Sequence, residues 1–129
     1  MKKTTHKQFL IFKKECERWI KVFGLYGFRF YFTHENYGDG DEDTQAYCIM
    51  PDQHQDRTFT LGLPKKLNGK TSTSEIKENA FHEVMESFLY RIKNIARCRY
   101  VQREEIDDEI HNIIMTLEKV VYRKGNEPS

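Results

Sequence analysis

Apolar side chains recur at three- and four-residue steps near the start of the chain. Phe9, Phe12, Cys16, Trp19, Ile20 and Phe23 are separated by Lys, Glu and Arg. That spacing predicts an amphipathic helix over residues 7–23, closed by Gly24 and Gly27. From Phe28 the period drops to two, with Phe28, Phe30 and Phe32 on one side of a predicted strand. Residues 46–50 and 58–63 read as two further strands, joined by a hairpin connection over 51–56 and ended by Pro64. Residues 65–70 read as a polar linker. Ser72-Thr73-Ser74-Glu75 supplies a capping box for a helix over 73–96. Its main stripe is Ile76, Ala80, Val84, Phe88, Ile92 and Ile95, widened by Phe81, Met85 and Leu89. Such a helix belongs between the sheet and a last helix, predicted over 102–122 from Ile106, Ile110, Ile113, Ile114, Leu117, Val120 and Val121. Residues 123–129 are expected to fray. The order predicts one α+β domain over 1–129. It has an N-terminal helix, a three-stranded, mainly antiparallel sheet and two C-terminal helices.

Composition changes this picture little. The 129 residues suffice for one core, and 38% hydrophobic against 32% charged residues is an ordinary globular balance. A formal charge of +1 leaves no electrostatic footprint for nucleic acid, so no nucleic-acid partner is expected. No apolar run is long enough to span a membrane or serve as a secretion leader. Cys16, Cys48 and Cys98 are scattered and form no Cys-x-x-Cys pair, which suggests structural thiols in a reducing, cytoplasmic setting.

Candidate chemistry concentrates at His82-Glu83-Val84-Met85-Glu86. On a helix, His82 and Glu86 lie one turn apart on one face and can share a divalent metal. Glu83 lies about 100° round the helix from His82, outside that first shell but within reach of a metal-bound water. The last helix carries Glu104, Asp107 and His111 on one flank. If that flank faces the first pair, His82, Glu86 and His111 form a shell of two imidazoles and one carboxylate, a common catalytic zinc set. Asp107 or Asp108 then orients His111, or Glu104 or Asp107 is itself the third ligand.

These residues resemble the gluzincin metallopeptidases, which carry His-Glu-x-x-His on one helix and a glutamate on the next. Here the second and third ligands look exchanged. The layout over residues 8 to 122 also resembles small phage-encoded and bacterial zincin-like proteins, with the acidic segment from Arg103 to Ile110 after the metal helix. The resemblance implies Zn2+, a hydrolase acting on a peptide or protein, and Glu83 as general base on the metal-bound water. It places His82 and Glu83 on the motif, while Glu86 departs from it. Within this reading the strand at 58–63 can bind substrate backbone by strand addition.

A second reading keeps the fold and drops the chemistry: an interaction module with a protein partner, including a phage accessory role. Other candidates carry less. Asp39, Asp41 and Asp43 alternate in a loop that lacks the EF-hand order, and His34-Glu35 reads as a surface pair. His54 falls in a turn and His6 near the terminus. No phosphate-binding glycine loop is present.

Overall fold

A computed structural model of the chain describes residues 2–37, 44–50, 57–68, 71–97, 100 and 102–123. The predicted turn at 51–56, most of the acidic loop, His54, Cys98 and most of the tail lie outside the described residues. The elements are β1 (Lys2–Lys3), α1 (His6–Phe23), β2 (Arg29–Thr33), β3 (Tyr47–Ile49), β4 (Thr58–Gly62), β5 (Lys66–Leu67), α2 (Thr73–Arg97) and α3 (Arg103–Leu117). A wider π-helical stretch, Glu118–Arg123, continues α3.

Local chemistry sets the ends of α1. Thr5 and Gln8 cap its N-terminus reciprocally, at 3.1 and 2.8 Å. Gly24 ends it in the left-handed region, φ 64°, with the Leu25 amide donating back to the Ile20 carbonyl. At the start of α2, the Ser72 hydroxyl accepts from the Glu75 amide at 3.3 Å.

The sheet is mixed, which corrects the mainly antiparallel expectation. Its order is β2-β4-β3. β3 and β4 pair antiparallel, as their spacing predicts, but β2 and β4 run parallel, Arg29 opposite Thr58 through Thr33 opposite Gly62. β4 takes the centre because it is the most completely buried strand. Phe59 is 1% and Leu61 0% exposed. Phe32, Leu61 and Cys48 form one inward row, and Phe30 sits beside Phe59 in the next. Tyr31, Thr60 and Ile49 form the opposite row, with Tyr31 and Ile49 exposed.

The polar linker is also corrected. Lys66–Leu67 pairs antiparallel with Lys2–Lys3, and Leu67 is buried in the core. The Thr4 amide donates to the Lys65 carbonyl and its hydroxyl to the Pro64 carbonyl. The Thr4 hydroxyl proton is thereby committed, so His34 Nε2, 2.7 Å away, must donate to it. His34 stacks flat on Phe9, and burial holds its pKa below the ordinary value. It is a half-buried clamp between the N-terminus and β2, not a surface residue.

α1 and α2 close the core around Phe12, Cys16, Leu61, Leu63, Ile76, Ala80 and Val84. Burying each larger aliphatic or aromatic side chain contributes about 1.5–3 kcal/mol. The predicted main stripe of α2 is buried at Ile76, Ala80, Val84, Phe88 and Ile95, but the buried face widens toward the side opposite to the one expected. Glu83, Ser87 and Tyr90 are buried, while Phe81 and Leu89 are 37% and 43% exposed. The cause is the neighbour on that side: Ser87 is small enough to admit Cys48 from β3, at 3.3 Å. α3 packs on α2 more lightly, and none of its residues is buried. No described helix is long and apolar enough to cross a membrane.

Candidate functional site

The motif on α2 divides between two environments. His82 and Glu86 point outward, and His82 Nε2 lies 3.3 Å from Glu86 Oε1. Their side chains are 67% and 40% exposed, so this is a screened surface pair. With Met85, Leu89, Ile92 and Lys93 they line a shallow groove of about 370 Å3.

Glu83 faces the other way, into the protein, and is 7% exposed. No donor among the described residues meets its carboxyl. Burial, helped by Glu86 and opposed by His82, pushes its pKa up to about 7. The same cause acts on its neighbours: burial raises the Cys16 thiol far above its usual range and pushes Cys48 up to about 12. The Ser87 hydroxyl donates to the Glu83 carbonyl at 3.1 Å, which leaves the Cys48 thiol to donate to the Ser87 oxygen. This is a buried polar seam where α1, β3 and α2 meet. Both thiols are free and protonated.

Among the described residues, no three His, Cys, Asp or Glu side chains gather to hold a metal ion. His82 and Glu86 meet, but His111 does not join them, and neither Glu104, Asp107 nor Asp108 takes the third place. The reason is angular. Ile113 and Val120 turn toward the core, which leaves His111, Asp107 and Asp108 exposed on the outer side of α3. Among the described residues the three-ligand shell is not assembled. Glu83 turns into the core, while His82 and Glu86 lie on the outer face.

A second cavity, about 430 Å3, opens where the end of α1 meets α2 and α3. Phe23, Phe28 and Phe88 wall it, and Arg57, Arg91, Glu109 and Lys119 bring charge. The Arg57 guanidinium lies over the Phe28 ring, 5.4 Å from its centroid. Gly27 permits this, since a Cβ there would come within 3.3 Å of Arg57 Nη1.

The feature that periodicity alone did not assign is the outer side of α3. Ile110, Ile114 and Leu117 are 44%, 46% and 40% exposed, and Val121, in the π-helical continuation, is 64% exposed. The signal was present as a surplus: seven apolar residues in the last helix exceed what one contact line can bury.

Comparison with family models, with curated proteins and with solved structures finds no match for this chain.

Proposed function

We propose that the chain is a non-enzymatic protein-interaction module that docks a partner helix on the outer face of its α2–α3 pair. The observation that carries this reading is the exposed row Ile110, Ile114, Leu117 and Val121 on a helix with no buried residue. Contiguous exposed apolar surface of this kind marks an interaction site. Its spacing suits a partner helix with apolar anchors at three- and four-residue steps. The polar rim on α3, Asp107 and His111, would fix register more than affinity.

The test is site-specific photo-crosslinking in producing cells. A photoreactive side chain in place of Ile114 should give a discrete adduct, and one in place of exposed Lys14 on α1 should give none. Absence of any adduct at position 114 would overturn the reading.

A second reading, a zinc-dependent hydrolase acting on peptides, draws its support from the His82–Glu86 pair at 3.3 Å. It requires near-stoichiometric zinc in the purified protein and loss of that zinc in His82→Ala. A protein that retains no zinc after purification in its presence would leave this reading without a metal.

A further inference from the structure

The cavity where the end of α1 meets α2 and α3 has an aromatic wall. Phe23 and Phe88 are core residues, 7% and 8% exposed, and with half-buried Phe28 they line about 430 Å3 of open space. A space of that size can enclose a small organic molecule.

The wall is held in place by the fold itself. Phe23 packs on Phe88, ring centroids 5.7 Å apart, and on Trp19 at 6.1 Å. Phe28 packs on buried Phe59 at 5.7 Å. The turn that carries Phe28 is fixed as well. The Leu25 amide donates to the Ile20 carbonyl, and the Phe28 amide to the Leu25 carbonyl. Gly24 and Gly27 bring only backbone to the lining, which leaves the space open on that side. A ligand therefore meets rings that are already ordered.

Charge in the lining is unevenly committed. Glu109 meets Arg91 at 3.3 Å. Among the described residues Arg57, Lys119 and Glu118 stand in no ion pair. Arg57, Arg91 and Lys119 against Glu109 and Glu118 leave one positive charge over. Arg57 is the cation set against the aromatic wall. Its carbonyl accepts from the Arg29 amide at 2.8 Å, which fixes its main chain beside β2. Its guanidinium lies over the Phe28 ring and beside Gly27. A guanidinium resting on a ring still offers its N–H fork, which matches a carboxylate through two parallel hydrogen bonds.

We propose that this cavity binds a small organic acid with an aromatic body and one carboxylate. The body lies against Phe23, Phe28 and Phe88, in the offset and edge contacts that aromatic rings favour. The carboxylate pairs with Arg57 at the end formed by Phe28 and Gly27. Glu118, itself unpaired among the described residues, opposes a second negative charge, so a dianion such as a phosphate monoester is disfavoured. Ile110, Ile114 and Leu117 do not line this cavity. The site is thus separate from the outer face of α3 and holds whether or not a helix docks there.

The test is an NMR titration of the isotope-labelled full chain with naphthylacetate and, separately, with naphthylacetamide, which has the same body and no charge. The amide resonances of Gly24, Gly27 and Thr116 should shift together and saturate with the acid. The neutral amide should bind about tenfold more weakly, the loss expected for one charge-assisted pair. Arg57 is exposed, so replacing it leaves the core untouched. Arg57→Gln should lower the affinity for the acid to that for the neutral amide and leave the latter unchanged, whereas damage to the fold would lower both. Arg57→Lys should recover part of the difference, because it restores the charge without the fork. Naphthyl phosphate should bind no better than the acid. No saturable shift in the millimolar range would overturn the proposal, as would equal affinities for acid and neutral amide in the parent chain. Shifts confined to the outer face around Ile114, or octanoate binding as tightly as naphthylacetate, would also overturn it.

Discussion

The Arg91 Nε atom lies 3.3 Å from Glu109 Oε2 and joins α2 to α3. The distance is that of an ion pair, yet the buried Nε–H makes no hydrogen bond among the described residues. It is attracted to the carboxylate without being aligned on it. Because α3 contributes no buried residue, this pair matters more to its placement than a surface bridge usually does.

Removing the pair should loosen α3 without unfolding the domain. Arg91→Ala and Glu109→Ala are each expected to cost up to about 1 kcal/mol, with a coupling energy of several tenths in a double-mutant cycle. Urea denaturation of the four proteins checks this. Additive effects would show that the two side chains do not act together.

Glu83 should set part of the pH dependence of stability. Its pKa in the folded protein, about 7, lies above the ordinary 4.5. The buried, protonated carboxyl therefore favours the fold fully below about pH 4.5, and that contribution is lost as the pH rises through 7. The effect is on the order of 3 kcal/mol. His34 acts with the opposite sign, since its lowered pKa contributes stability above its ordinary 6.5 that is lost on acidification. The two are separated by Glu83→Gln, which should be more stable than the parent at pH 8.5 and no more stable at pH 4. Equal stability at pH 8.5 would place the carboxylate in water.

The thiols of buried Cys16 and half-buried Cys48 should be silent in the native state. Cys16 is 0% exposed, and burial keeps both it and Cys48 protonated. Ellman's reagent at pH 8 is expected to modify neither until denaturant is added, by mass spectrometry of the labelled peptides. Rapid labelling of Cys48 in native protein would contradict the seam with Ser87.

Gly62 should resist substitution. It pairs with Tyr47, and a Cβ at position 62 would clash with the Tyr47 ring at Cζ and Cε2. That ring cannot swing away freely, because its hydroxyl donates to the Glu35 carbonyl at 2.7 Å. Gly62→Ala is expected to cost about 1–3 kcal/mol. Thermal melts of Gly62→Ala with and without Tyr47→Ala would show whether relieving the clash recovers stability.

How much of this was legible follows from which forces are local. The period of Phe9 to Phe23 and the box at Thr5 and Gln8 act within a turn or two, so α1 is readable to within a residue of its ends. The alternation of Phe28, Phe30 and Phe32 marks a strand but carries no word on its partner, and β2 pairs with β4 rather than β3. Leu67 looked like one apolar residue in a linker; its burial depends on Lys2–Lys3, more than sixty residues away. The same limit governs the candidate site. Spacing placed His82 and Glu86 together and the structure has them 3.3 Å apart. Whether His111 joins them depends on the rotation of α3, which is set by Ile113 and Val120 against the core. The burial of Glu83 likewise depends on how closely β3 approaches Ser87, a tertiary contact.

The parallel pairing of β2 with β4 bears on how the chain is made. Roughly 25 residues separate Thr33 from Thr58, so β2 leaves the ribosome well before its neighbour. At ~5–20 residues per second the wait is on the order of one to five seconds. Throughout it Phe28, Phe30 and Phe32 have no strand beside them and no α2 above them. Biosynthesis of this protein thus includes an interval in which a short aromatic strand is open to chaperones or to its own kind, and slower translation through residues 34–57 would lengthen it.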